Sequence, residues 1–486
     1  MSGWESENRK YTPAKNTVVL LGDSRTAQCG TSFTPTSVTS VGTTVTVAAT
    51  AHKLVVGQQF PIGTANETAY NGIFTVETTA DANTFTYTAR SVPSAATATG
   101  SVYFTNGLLR RDYGYFNWLN AQLGGRLNVL FNAGIGGDTV QRMAGRLNHV
   151  TQFNPDYCFL QGGYNDLART TAQIIADFTT IFTTLYNEGI TVVALTETPL
   201  HSSAGSYSAA NAQKLLAVNN WMRNYARTHK GILILDAFKA LIDGTSATGQ
   251  PLANMVWAAD SVHWTPKASR AIGNAGYNLL NSIVPAGNTL ASSLIDDYTT
   301  DTSNPNIVIN GMMAGVAGTA NTGITGTVAT SWSVSRTGAA AAVGTGQVAR
   351  TDGFGYDQQL DVTYSASGEQ IQFFTTSSLH ARIVAGETYY FEADISIASI
   401  TSSCLGGFYF RLQTSINGVS VDSAAAITAN TDVFDQTDMA NFVWRSPNIK
   451  YPAGATVTST FIWFQFYSKA AGALTAKVGR VVLRKV

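Results

Sequence analysis

The sequence predicts an α/β domain on a doubly wound parallel sheet, with a small β module inserted in its first loop and a β-sandwich at its end. Three observations carry this. From residue 107 to about 285, short apolar segments alternate with amphipathic ones, as strands and helices do when a parallel sheet is covered on both faces. A Thr-, Val-, Ala- and Gly-rich stretch with period-2 alternation interrupts the pattern at residues 31–105. Beyond residue 307 there is no convincing long helix, and runs such as TYYFEADISIA, GGFYFRLQTS and FIWFQFYS read as strands.

The elements follow in order. NTVVLLGDSRTAQ reads as a buried strand, at 18–22, ending in a turn. The insert alternates between turn signals at Asn71-Gly72 and Asp81-Ala82-Asn83, the hairpin signature. LLRRDYGYFNWLNAQLGG has helical spacing and a stop at Gly124 and Gly125. Strands are predicted at 127–132, 157–161, 191–196 and 231–235, and helices at about 138–149, 171–188, 209–229 and 266–283. Helix 209–229 places Leu215, Val218, Met222 and Tyr225 on one face. The polar stretch 286–306 reads as a linker. The predicted division is therefore 1–30 and 106–285 for the α/β domain, 31–105 for the insert and 307–486 for the sandwich. Loops after strands of an open α/β sheet lie where ligands bind, so the insert is expected near the functional site.

Composition excludes several classes. The 486 residues carry 30 Lys+Arg and 30 Asp+Glu, a net charge of +0. A nucleic-acid backbone or an anionic membrane surface calls for a basic surplus, so neither is an expected partner. No apolar run approaches the ~20 residues of a membrane span. Hydrophobic residues are 44% of the chain, enough to bury large cores and to exclude a disordered chain. Cys29, Cys158 and Cys404 are far apart with no CxxC, so no disulfide framework or zinc site is expected. The start MSGWESENRK lacks a signal pattern, which predicts synthesis in a reducing cytoplasm.

Four segments can carry chemistry. Gly22-Asp23-Ser24-Arg25 follows the strand VVLL, and a serine on such a turn is exposed and placed as a nucleophile; the bland alternative is that Ser24 caps the next helix. Asn132-Ala133-Gly134-Ile135-Gly136-Gly137-Asp138-Thr139 joins a strand to a helix, where glycines let a backbone N–H approach a ligand; the alternative is a plain turn with Asp138 as cap. Gly162-Gly163-Tyr164-Asn165-Asp166 follows YCFLQ. Its Asn165 can aim an amide at a developing oxyanion or merely sit in a turn. In Asp260-Ser261-Val262-His263-Trp264-Thr265-Pro266, Asp260 can accept from His263 and leave the other ring nitrogen for a serine proton. Thr265 as N-cap and Pro266 at the first position would start the last helix. His52, His149, His201, His229 and His380 lack such a context.

In this order the four segments resemble the blocks of the SGNH (GDSL-like) hydrolase family: a GDS turn, a glycine block, a GxND block and a DxxH block. The resemblance covers about 1–30 and 106–285. It implies a flavodoxin-like three-layer α/β/α fold and cleavage of esters of lipids, sugars and other small acyl donors. It also implies Ser24 as nucleophile, His263 as general base and Asp260 as the residue orienting the imidazole. The implied oxyanion hole is the Ser24 N–H, the Gly137 N–H and the Asn165 amide; Gly137 is chosen because the family's glycine commonly precedes Asp-Thr, with Gly136 the near alternative. No cofactor and no metal are implied. Arg25 stands where the family commonly has Leu; it is expected at the surface, with a positive charge at the pocket mouth as the other possibility.

The insert looks like a small β module of phage tail and other virion proteins. The C-terminal part, from IVINGMMAG to KVGRVVLRKV, looks like a carbohydrate-binding jelly roll. Its Tyr389, Tyr390, Phe408, Tyr409, Trp463 and Phe466 are expected to be mostly core, although strand alternation turns about half of such residues outward. The resulting expectation is a serine esterase that removes O-acetyl or similar groups from bacterial surface polysaccharide, as a tail or tailspike protein of a bacteriophage virion. Expected partners are the acetylated polysaccharide and other tail proteins; a homotrimer is usual for such proteins, but no trimerising coiled coil is evident. The alternatives are a secreted plant-polysaccharide acetylesterase and a non-catalytic receptor-binding or structural tail protein.

Overall fold

The first strand, β1 (Thr17–Gly22), is apolar at every inner position because it has helices on both sides. Val18 and Leu20 face one core and Val19 and Leu21 the other. The structure is a computed structural model that describes residues 15–111, 113–287, 289–296, 305–338, 342–426 and 441–486, with backbone only for 398, 419 and 421–426. A short helix, α1 (Ser24–Ala27), follows β1 directly.

The chain then enters the inserted module. Strands β2 (Thr31–Phe33), β3 (Ser37–Val41), β4 (Thr44–Ala48), β5 (Gln59–Ala65), β6 (Gly72–Thr75), β7 (Thr78–Asp81), β8 (Thr84–Thr88) and β9 (Gly100–Asn106) form two four-stranded sheets, β2-β9-β5-β6 and β3-β4-β8-β7. Phe60, Phe85, Tyr87 and Phe104 fill the core between them.

The α/β domain resumes with α2 (Tyr115–Gln122), which stops at Gly124 and Gly125, both at φ 72°. Here the structure departs from the helix expected across the whole of LLRRDYGYFNWLNAQLGG. Leu109–Arg111 is instead a strand, β10, pairing in parallel with Ala424–Ala426 at the edge of a C-terminal sheet. An open sheet edge supplies backbone partners that outweigh local helical spacing.

Strands β11 (Asn128–Gly134), β12 (Tyr157–Gln161), β13 (Thr191–Leu195) and β14 (Ile232–Leu235) complete a parallel sheet of order β11-β1-β12-β13-β14. Taken in chain order within the domain, this is the 2-1-3-4-5 arrangement of a doubly wound sheet, whose crevice opens at the carboxyl ends beside the first strand. The expected helix at about 138–149 is two short ones, α3 (Val140–Ala144) and α4 (Asn148–Thr151), because Gly145 ends the first and Arg146 turns inward. Helices α5 (Thr171–Asn187) and α6 (Ala209–Thr228) cover the same face as α3. The short α7 (Ala237–Leu241) and then α8 (Pro266–Leu280) join α2 on the other face. Thr170 and Gln173 form a reciprocal capping box at the start of α5, and Thr265 caps α8 with Pro266 at its first turn.

The C-terminal region is β-rich. Two sheets, with strands such as Leu405–Ile416 and Val457–Ser468 in one and Thr388–Ile400 and Gly472–Lys485 in the other, share a core that includes Trp332, Leu360, Phe391, Phe410, Phe464 and Val478. Tyr389, Tyr390, Phe408 and Phe466 are buried; Tyr409 and Trp463 are half-buried on the outer face, where Trp463 stacks on Phe374 at 4.3 Å. The stretch read as a linker is, where described, fastened to this region. Thr289 Oγ1 is 2.7 Å from Glu392 Oε2, and Asp296 pairs with Arg484. Trp118 of α2 packs edge-on against Phe408, so the α/β domain and the β-rich region share a wall. The three cysteines are buried thiols. Among the described residues no helix is long and apolar enough to cross a membrane.

Candidate active site

Asp23, not Ser24, caps α1: its Oδ1 accepts the Arg25 N–H at 2.9 Å. That leaves the Ser24 hydroxyl free at the carboxyl end of β1, where it lies 2.8 Å from His263 Nε2. The His263 Nδ1–H in turn donates to Asp260 Oδ2 at 2.7 Å. Asp260 Oδ1 accepts the Val262 and His263 backbone N–H groups at 2.8 and 3.0 Å. This fold-back is possible because Ser261 takes a left-handed conformation, φ 57°, a cost of ~1–3 kcal/mol that functional loops tolerate when their surroundings dictate it. Partial burial pushes the Asp260 carboxyl up, but the hydrogen bonds from His263 and the two backbone N–H groups win and hold it at about 2. An ionised Asp260 keeps the ring proton on Nδ1, so the Nε2 lone pair faces the serine hydroxyl.

The glycine block and the Asn165 segment are tied to each other and to the end of β1. Gly134 lies under α1, and a side chain there would run into the Thr26–Ala27 backbone. Gly137 has φ 70°, a left-handed conformation that glycine adopts without cost. Asn165 Nδ2 donates one hydrogen to the Asp138 carbonyl at 2.9 Å, which fixes the amide and leaves its second hydrogen available. Among the described residues the Ser24 and Gly137 N–H groups meet no main-chain acceptor. The alternative of Asp138 as a helix cap does not hold: Thr139 caps α3, while Asp138 is buried and paired with Arg146 at 2.7 Å. Arg146 also donates to the carbonyls of Ala133 and Gly22, so it ties the glycine block to the turn before Ser24. Asp166 accepts the Val140 N–H at 2.9 Å and joins the Asn165 segment to α3.

Arg25 is not at the surface, nor does it charge the pocket mouth. It is 2% exposed. Its guanidinium pairs with Glu197 at 2.6 Å, donates to the Val262 carbonyl at 3.0 Å, and lies over the rings of Tyr164 and Trp264. Gln161 Nε2 donates to both Glu197 and Asp23. The serine turn and the histidine loop are thus joined beneath the triad through one buried cation, two carboxylates and an amide. Sequence reading missed Arg146, Gln161 and Glu197. The only signals were a glycine interrupting a predicted helix and polar residues ending two apolar strands.

Burial, with Glu197 adding to it, raises the Asp23 carboxyl to about 7. A carboxyl whose folded value lies above its unfolded one favours folding at low pH, and that contribution is lost as pH rises from about 4 through about 7. Asp23→Asn keeps the capping oxygen and removes the titration. Its unfolding temperature relative to the parent should therefore rise between pH 5 and pH 8; an offset that does not change with pH counts against a buried, titrating Asp23.

The insert meets the glycine block, as its position in the first loop predicts. Thr105 Oγ1 donates to the Gly134 carbonyl at 2.7 Å, and a methyl on Gly63 would stand 2.9 Å from the Ile135 side chain. At the histidine side, the Trp257 N–H donates to the His263 carbonyl at 2.9 Å, and the Trp257 ring meets Tyr113 edge-on. Among the described residues no group of three or more His, Cys, Asp or Glu is placed to hold a metal.

A hydroxyl, an imidazole and a carboxylate in series at the carboxyl end of an open α/β sheet define a site suited to nucleophilic acyl transfer. The sequence profile of the GDSL-like Lipase/Acylhydrolase family matches residues 97–271. Over that span, which is less than half of the chain, the sequence is similar to this family, and the match supports acylhydrolase or esterase activity. The matched span begins just before β9 and includes the glycine, Asn165 and Asp260–His263 segments but not Ser24, which only the fold brings to them. Three solved structures are similar in part. One is a member of the lipolytic protein G-D-S-L family from Veillonella parvula, 22% identical over 35% of this chain and 90% of that one, with TM-score 0.28. Another is the acetyl xylan esterase AlAXEase, 17% identical over 35% and 92%, with TM-score 0.30. The third is a mutant acetyl-xylooligosaccharide esterase from Geobacillus Stearmophilus, 14% identical over 56% and 98%, with TM-score 0.33. At these values none of the three carries an argument about function. No curated protein sequence matches the chain.

Proposed function

We propose that this chain is a serine esterase that removes O-acetyl or similar acyl groups from polysaccharide. The observation that carries the reading is the series Ser24 Oγ, His263, Asp260 at 2.8 and 2.7 Å. Ser24 attacks the ester carbonyl while His263 takes its proton. The tetrahedral oxyanion is received by the Ser24 N–H, the Gly137 N–H and the second hydrogen of the Asn165 amide. His263 then protonates the departing sugar oxygen as its bond to the acyl carbon breaks, which releases the sugar hydroxyl. Water, deprotonated by His263, hydrolyses the acyl-enzyme and frees the acid.

A sugar-borne ester is favoured by the aromatic flank at Trp257 and Tyr113, since such rings offer apolar faces to pyranose C–H groups. The finer parts of the reading are a bacterial surface polysaccharide as the substrate, a jelly-roll topology with glycan affinity for the C-terminal region, and service in a phage tail. They rest on the style of the insert and of the β-rich region, and a trimer on the same grounds.

The wild-type protein should release acetate both from a chromogenic acetate ester and from an acetylated capsule, and Asn165→Ala should lower kcat by ~10²–10³ with an unchanged unfolding temperature. Folded protein that turns over neither ester overturns the reading and favours a binding protein. Turnover of the chromogenic ester alone keeps the esterase and removes the polysaccharide.

A further inference from the structure

We propose that Tyr103, on strand β9 of the inserted module, is a positioning residue for the oxyanion loop: its ring fixes the Gly136–Gly137 peptide and so aims the Gly137 N–H. The inference rests on the esterase reading, in which that N–H receives the oxyanion, and adds a role for the insert.

The geometry is local. A methyl built on Gly136 would stand 2.8 Å from Tyr103 Cγ and 2.9 Å from Cδ1, and one on Gly137 would stand 3.5 Å from Cε2. The ring therefore runs along the bare flank of both glycines. The preceding residues are held by the same module, Gly134 through Thr105 and Ile135 against Gly63. The following residue is held by Asn165 at the Asp138 carbonyl. Between these anchors, the loop's own bond from the Asp138 N–H to the Ile135 carbonyl is long, at 3.3 Å. Two adjacent glycines have more backbone freedom than any other pair, so packing must hold the peptide between them. The Tyr103 ring supplies that packing.

A donor aimed at the oxyanion acts in the transition state and not in the ground state, so loosening it lowers kcat and spares KM. Loss of the whole donor costs ~10²–10³ in kcat, so a donor present but mobile in Tyr103→Ala should cost roughly 10–10². Tyr103→Phe keeps the ring and most of the activity. Gly136 lies outside the left-handed region, so Gly136→Ala is tolerated by the backbone but must push the ring aside, and it lowers kcat by itself. In the Tyr103→Ala background the ring carbons are gone and the new methyl meets the residue-103 Cβ at 3.3 Å, a contact that a small shift relieves, so it packs there and narrows the backbone freedom of the loop. The double variant should then exceed the Tyr103→Ala single in kcat, a rescue that general destabilisation does not produce.

The experiment is steady-state hydrolysis of a chromogenic acetate ester by the full chain and these four variants, with NMR of glycine-labelled amides alongside. The expected result is a kcat effect with KM unchanged, rescue in the double variant, and Gly136 and Gly137 signals that are sharp in the wild type and broadened in Tyr103→Ala. A loss confined to KM, an equal loss in Tyr103→Phe, a double variant no better than Tyr103→Ala, or glycine signals unaffected by Tyr103→Ala each overturns the positioning role. Wild-type protein that is folded but inactive overturns the esterase reading instead, and the glycine signals still decide whether Tyr103 orders the loop.

Discussion

Ser24→Ala should abolish ester hydrolysis, a fall on the order of 10⁶ in kcat, without a change in unfolding temperature. The chemistry passes through one oxygen, Ser24 Oγ, 2.8 Å from His263 Nε2. The fold has little stake in that oxygen, because Asp23 caps α1 and Asp260 holds the imidazole from its far side. Residues that act as a unit are not additive, so Ser24→Ala combined with His263→Ala should be no worse than Ser24→Ala alone. Acetate release from an acetylated polysaccharide, with unfolding followed in parallel, checks both statements. Retained turnover in the purified variant would mean that another group is the nucleophile.

Glu197→Ala should cost about 3–5 kcal/mol of stability, the usual consequence of stranding one member of a buried ion pair. Arg25 and Glu197 are 3% and 2% exposed in their side chains. Without the carboxylate, the guanidinium keeps the Val262 carbonyl, two aromatic faces and the nearby Asp23 carboxyl, and Gln161 loses one of its two acceptors. Activity should fall as well, since Arg25 bridges the serine helix and the histidine loop. Replacing Arg25 and Glu197 together by apolar residues of similar volume is expected to recover much of the stability but not the bridge, so stability and kcat separate in the double variant. Urea unfolding measures the first and steady-state hydrolysis the second. A single-variant loss well under 1 kcal/mol would mean that water reaches Arg25.

How much of this was legible follows from the range over which each signal acts. The five strands of the α/β sheet, the stop at Gly124 and Gly125 and the Thr265-Pro266 helix start were readable because a strand's burial pattern and a helix cap depend on residues a few positions apart. The Ser24, glycine, Asn165 and Asp260–His263 segments were readable as candidates because each follows a strand or begins a helix. Leu109–Arg111 was misread because its partner, Ala424–Ala426, lies some three hundred positions along the chain, and helical spacing carries no trace of it.

By itself the sequence determined the α/β periodicity and the order of the four chemical segments, since both are written in neighbouring residues. Only the tertiary structure decided that Ser24 and His263 lie within a hydrogen bond of each other, that Arg25 turns inward to Glu197, and that a tyrosine from the insert rests on the glycine block. The physical reason is that those facts depend on sheet order and on which surfaces close over one another, and the free energy that selects them comes from contacts between residues remote in the chain.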